Sequence, residues 1–77
     1  MIMILADELF GRNLLKIRKK CGYSRASLAK LTGVSVYHLR LIEQGVLREI
    51  DSEFVLKLGR IFEVDVEVFC KPEPEKE

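Results

Sequence analysis

The chain has 77 residues, of which 48% are apolar and 32% charged, and its net charge is +1. That is one small domain with a modest core, too small to build an enzyme around a pocket of its own. No apolar run approaches the ~18 residues of a membrane span, and the opening MIMIL, without a basic flank and with Asp7 and Glu8 close behind, does not read as a signal peptide.

The near-zero net charge hides a polarity. Eight bases and no acid fall between Leu9 and Ile42, whereas ten acids and five bases follow from Glu43 onward. A one-sided basic field is expected of a surface that meets phosphates. The alternative is a solvated helical face without acids.

Residues 7–21, DELFGRNLLKIRKKC, place Leu9 or Phe10, Leu14, Ile17 and Cys21 at steps of three and four. The spacing predicts an amphipathic first helix with Arg12, Lys16, Lys19 and Lys20 among its bases. Gly22 suits the left-handed stop that ends it. Ser24 is a good N-cap for a second helix over 25–31, with Leu28 and Leu31 inward and Ala29 small enough for a close helix contact. Thr32-Gly33 breaks that helix. Ser35 caps a third over 36–44, and Gly45 ends it.

VLREI is a connector. Asp51 or Ser52 caps a fourth helix over 52–62, with Phe54 or Val55, Leu58 and Phe62 inward; Gly59 within it suggests a tight crossing. Asp65 opens a short fifth helix over 65–70. The alternation in FEVDVEVF would also suit a strand, but only MIMIL offers a partner, and helix is the preferred reading. These elements make a single domain over 1–70, and KPEPEKE, 71–77, is expected to be a disordered acidic tail.

Helix, three-residue turn and helix, with glycine in the turn and a small residue in the first helix, is the helix-turn-helix unit. Ala29 permits the steep crossing, and Gly33 takes the left-handed turn. Val34, Leu39 and Ile42 anchor the second helix so that its other side projects outward. On these residues FGRNLLKIRKKCGYSRASLAKLTGVSVYHLRLIEQG resembles the Cro/repressor-type helix-turn-helix family, or Xre family, and EFVLKLGRIFEVDVEVF is similar to that family's last two helices.

The resemblance implies an all-α, compact five-helix lambda-repressor-like domain that binds double-stranded DNA as a homodimer, usually as a transcriptional repressor. It also implies an ion pair between Arg18 and Glu43 that ties the first helix to the third, with Arg18 also touching a phosphate. Arg25 stands where the family usually has glutamine and would contact a phosphate, as would Arg48 in the loop after the third helix. Ser35, Val36, Tyr37, Arg40 and Leu41 would face bases. Of these, Val36 and Leu41 offer only apolar contact, for instance with thymine methyl groups.

That apolar face supports a second reading, a protein-interaction module in an antitoxin-like or regulator-binding role. An enzyme is not expected, with one histidine, no metal spacing and no glycine-rich phosphate loop. The same counts imply no metal and no cofactor. Cys21 and Cys70 read as free thiols of a reducing cytoplasm.

Overall fold

The computed structural model describes residues 3–5, as backbone, together with residues 7–47 and 49–72. In chain order the elements are strand β1 (Met3–Leu5), helix α1 (Glu8–Lys20), helix α2 (Arg25–Thr32), helix α3 (Val36–Glu43), strand β2 (Glu49–Asp51), helix α4 (Ser52–Phe62) and a single 3-10 turn over Val66–Phe69. Among the described residues the architecture is four α-helices with a two-stranded ribbon, so the domain is compact and mostly helical as expected, while the expected fifth helix is a 3-10 turn.

Side chains fix the start of every helix. Asp7 accepts from the Phe10 N–H at 2.9 Å, Ser24 from Ser27 at 3.0 Å, Ser35 from His38 at 3.0 Å, and Asp51 from Glu53 at 3.0 Å. Each bond satisfies a donor that the first helical turn would otherwise leave open. Helix α1 stops where Gly22 turns left-handed at φ 80°, which lets the Tyr23 N–H reach back to the Arg18 carbonyl at 3.0 Å.

Met3–Leu5, from MIMIL, and Glu49–Asp51, at the end of the expected connector, meet as the ribbon. Met3 pairs with Asp51, Ile4 with Ile50 and Leu5 with Glu49, antiparallel. Three residues per strand give too few alternations for a period of two to stand out, which is why the pairing is invisible in the sequence. Ile50 goes into the core from this ribbon. VEVF winds as a 3-10 turn behind the Asp65 cap, and its Phe69 is completely buried.

The core joins every helix. Phe10 and Leu14 of α1, Leu28 and Ala29 of α2, Leu39 and Ile42 of α3, and Phe54, Val55, Leu58 and Phe62 of α4 are buried with Ile50 and Phe69. Phe69 packs between two rings, with centroids 5.6 Å from Phe10 and 6.3 Å from Phe62. Two inward expectations fail. Cys21 is the exposed C-cap of α1, past the last turn of its buried stripe. Leu31 is 53% exposed, because Thr32 takes the inward position instead. The Thr32 hydroxyl donates to the Leu28 carbonyl at 2.9 Å and also lies 3.2 Å from the Ala29 carbonyl.

Two glycines let backbones touch. A Cβ on Gly11 would overlap the Ile42 carbonyl oxygen and lie 2.7 Å from that of Glu43, so α1 crosses the end of α3 with no room for a methyl group. Gly59 carries the close approach expected at that position: its Cβ would sit 3.0 Å from Val66 Cγ1, at the start of the 3-10 turn, and 3.2 Å from the Val64 carbonyl oxygen. That turn is also held from α1. Asn13, buried, points its Nδ2 at the carbonyls of Val68, Phe69 and Lys71, at 3.3, 3.0 and 2.8 Å.

Candidate nucleic-acid interface

Helices α2 and α3 join through Gly33, Val34 and Ser35. Gly33 takes φ 81° and sends its N–H to the Ala29 carbonyl at 2.9 Å, so α2 ends abruptly and the chain reverses direction. Ser35, extended, opens α3 two residues later. Lys57 of α4 donates its Nζ to the Thr32 carbonyl at 3.3 Å, placing a cation at the negative end of α2. The exit from α3 is equally defined: Gly45 is left-handed at φ 75°, and the Val46 N–H returns to the Leu41 carbonyl at 3.0 Å.

Three residues turn α3's inner side to the core, namely Leu39, Ile42 and Glu43. At 100° per residue the opposite side is centred on Tyr37 and Leu41, with Val36 and Arg40 on one flank and His38 on the other. Tyr37 is 66% exposed and Val36 42%, Leu41 is half-buried, and Ser35, His38 and Arg40 are exposed. The five residues expected to face bases thus lie together on the outward side of α3 and its cap. On α1, Arg12, Lys16, Lys19 and Lys20 form an exposed stripe opposite the helix's buried face.

Behind α3 lies a buried charge cluster. Arg18 donates from Nε to Glu43 Oε2 at 2.6 Å and from Nη2 to Oε1 at 3.2 Å, and its Nη1 donates to the Tyr23 carbonyl at 2.9 Å. A second arginine joins: Arg25 donates its Nε to Glu43 Oε1 at 2.9 Å. The Glu43 side chain is 2% exposed, that of Arg18 7% and that of Arg25 35%. Two guanidinium charges around one carboxylate leave the cluster net positive, with Arg25 as its outer member.

This geometry separates the residues expected to meet phosphate. Arg18 is buried behind α3, and its three nitrogens donate to Glu43 and the Tyr23 carbonyl. Arg25 is partly exposed and retains N–H groups beyond its Nε. Arg48 lies outside the described residues. Gly11, Asn13 and the bond from Arg25 to Glu43 were not anticipated. A polar residue on the inward stripe of α1 and a glycine inside a helix were the available signals for the first two.

Among the described residues, no cluster of three or more His, Cys, Asp or Glu could hold a metal, and no helix is long and apolar enough to cross a membrane.

A tight α2–turn–α3 unit with the second helix's outer side left uncovered defines a helix-turn-helix domain. The chain matches the helix-turn-helix family over residues 14–69 and belongs to it, as an Xre-like member. It is similar to the N-terminal DNA-binding domain of SinR from Bacillus subtilis, with a TM-score of 0.76 at 26% identity over 88% of this chain and 99% of that one. SinR, a master regulator of biofilm formation, in complex with DNA gives a TM-score of 0.73 at 27% identity over 80% and 98%. The clp gene regulator ClgR from Corynebacterium glutamicum gives 0.75 at 25% over 82% and 66%. The restriction-modification controller protein C.AhdI from Aeromonas hydrophila shares the fold, at 0.72 and 24% over 80% and 92%.

One curated relative is 34% identical over 61 residues, 79% of this chain: a glutamine–fructose-6-phosphate aminotransferase from Methanocaldococcus jannaschii. The chain spans 6% of that protein's length.

Proposed function

We propose that the chain is a DNA-binding transcription regulator that lays α3 in the major groove of duplex DNA. In this reading it is a cytoplasmic homodimer that represses by occupying its operator. The observation that carries it is the outward side of α3: a helix fixed from behind by a buried ion cluster presents an uncovered face, in the half of the chain that holds the basic stripe. SinR, similar in fold and solved on DNA, supports it.

Ser35, Val36, Tyr37, Arg40 and Leu41 then face bases, and Arg25 and Arg48 meet phosphates. Arg40 is the member suited to guanine, Val36 and Leu41 to thymine methyl groups, and Tyr37 to a base edge. Few hydrogen bonds remain for readout, so discrimination is weak or favours thymine. Titrating a labelled random duplex by fluorescence anisotropy tests the reading. Affinity should fall steeply between about 50 and 200 mM salt as neutralised phosphates release counterions. A folded protein that binds no duplex at low salt would sink it.

A second reading uses the same face. With Tyr37 66% and Val36 42% exposed, it suits a protein partner in an antitoxin-like or regulator-binding role. SinR, similar in fold, has been solved also in complex with the SinI protein, which supports a protein partner. Binding of a partner protein that Tyr37→Ala abolishes, without salt-dependent duplex binding, would favour this reading over the first.

A further inference from the structure

Glu43 has a demand on it beyond the tie between α1 and α3. Arg18 alone engages both of its oxygens, at 2.6 and 3.2 Å, and already neutralises it. Arg25 is a second cation on an acid that does not need one. A guanidinium carries five N–H donors in one plane. Arg25 directs its Nε–H at Glu43 Oε1, 2.9 Å away, and among the described residues its remaining four donors meet no acceptor.

We infer that Glu43 is a positioning residue for phosphate binding: it holds the Arg25 guanidinium by Nε so that the terminal N–H groups are presented, already ordered, to a backbone phosphate. This rests on the DNA-binding reading.

The charges permit it. When Arg25 shares its charge with a phosphate, Glu43 stays paired through Arg18, so no buried carboxylate is left alone. Arg18 is buried and its nitrogens are taken, so Arg25 is the cation of this cluster that an approaching anion meets. Ordering the side chain beforehand removes part of the entropy that a free arginine loses on binding. Lysine at this position would keep the charge but not the planar fork that bridges a carboxylate and a phosphate at once.

The test is a double-mutant cycle on duplex affinity at low salt, with Arg25→Lys, Glu43→Gln and both together, each checked for folding by thermal melt. Arg25→Lys should weaken wild-type binding about tenfold, ~1.4 kcal/mol. In the Glu43→Gln background the same change should cost clearly less, because the arginine there is no longer held by charge. Equal losses in the two backgrounds, within the roughly twofold scatter of independent sites, would overturn the inference.

A second measurement needs no variant. In the free protein the Arg25 Nε–H should exchange with solvent and reorient more slowly than that of exposed Arg12, by nitrogen-15 NMR. Exchange as fast as Arg12's would also overturn the inference. If the wild type binds no duplex while Arg25 stays protected, the DNA-binding reading fails and this role falls with it, although the tie to Glu43 stands.

Discussion

The two sides of α3 each depart from the usual arrangement of a surface helix. Its inner side buries a carboxylate, Glu43, while its outer side exposes Val36 and Tyr37. Charged groups are almost never fully buried unless paired, and here two arginines do the pairing. The inner side is specified group by group, with a donor for each carboxylate oxygen. The outer side has no such determination, since Tyr37 is largely exposed. One side fixes where the helix lies, and the other decides what it can recognise. Separate substitutions should break them separately.

The largest effect belongs to the inner side. Glu43→Ala leaves the Arg18 guanidinium buried without its acid and should cost about 3–5 kcal/mol. A domain of this size shifts its melting temperature by about 4–8 °C per kcal/mol, so a thermal scan resolves the loss easily. Such a cost approaches the total stability of a small domain, ~5–15 kcal/mol. A loss below about 1 kcal/mol would place the pair among exposed ion pairs and contradict its burial.

Gly11→Ala should cost less, about 1–3 kcal/mol, because α1 must lift off the carbonyls of Ile42 and Glu43 to admit the methyl group. On an open helix the same substitution would stabilise by about 0.5–1 kcal/mol, so the sign alone is informative. A midpoint in urea that rises would show that the crossing relaxes freely. Of the two substitutions, this one moves α3 as a body and leaves its charges paired, so it separates the helix's position from its ion cluster.

The same contrast explains what the sequence discloses. Gly33, Ser24, Ser35 and Asp51 are legible because a cap or a left-handed turn is a local requirement, met within three or four residues of chain. Ala29 is legible because a small residue has few other reasons to sit at that spacing. Gly11 is not, since its partner carbonyls, on Ile42 and Glu43, lie two helices further along the chain and a glycine inside a helix has several explanations. Arg25 has the same difficulty. Position by position it reads as an exposed base at the start of α2, and only folding brings Glu43 to its Nε. The ribbon is hidden for a different reason: MIMIL is apolar at every position and EID is too short to alternate. Leu31 misleads because a leucine at helical spacing outranks a threonine in any apolar pattern, while Thr32 can bury itself by bonding its hydroxyl to the preceding turn.

The smallest effect on folding belongs to the outer side, and it is the most informative about function. Tyr37→Ala removes a side chain that is 66% exposed and should change stability by no more than about 0.5 kcal/mol in either direction. Selection of bound sequences from a random duplex pool, run in parallel for the wild type and this variant, gives the decisive readout. If Tyr37 contacts a base edge, the two pools differ at one position of the site and agree elsewhere. If it contacts a phosphate, the pools agree and affinity falls alike for every sequence. If pools and affinity are both unchanged, Tyr37 does not touch DNA, and its exposed ring is better explained by a protein partner.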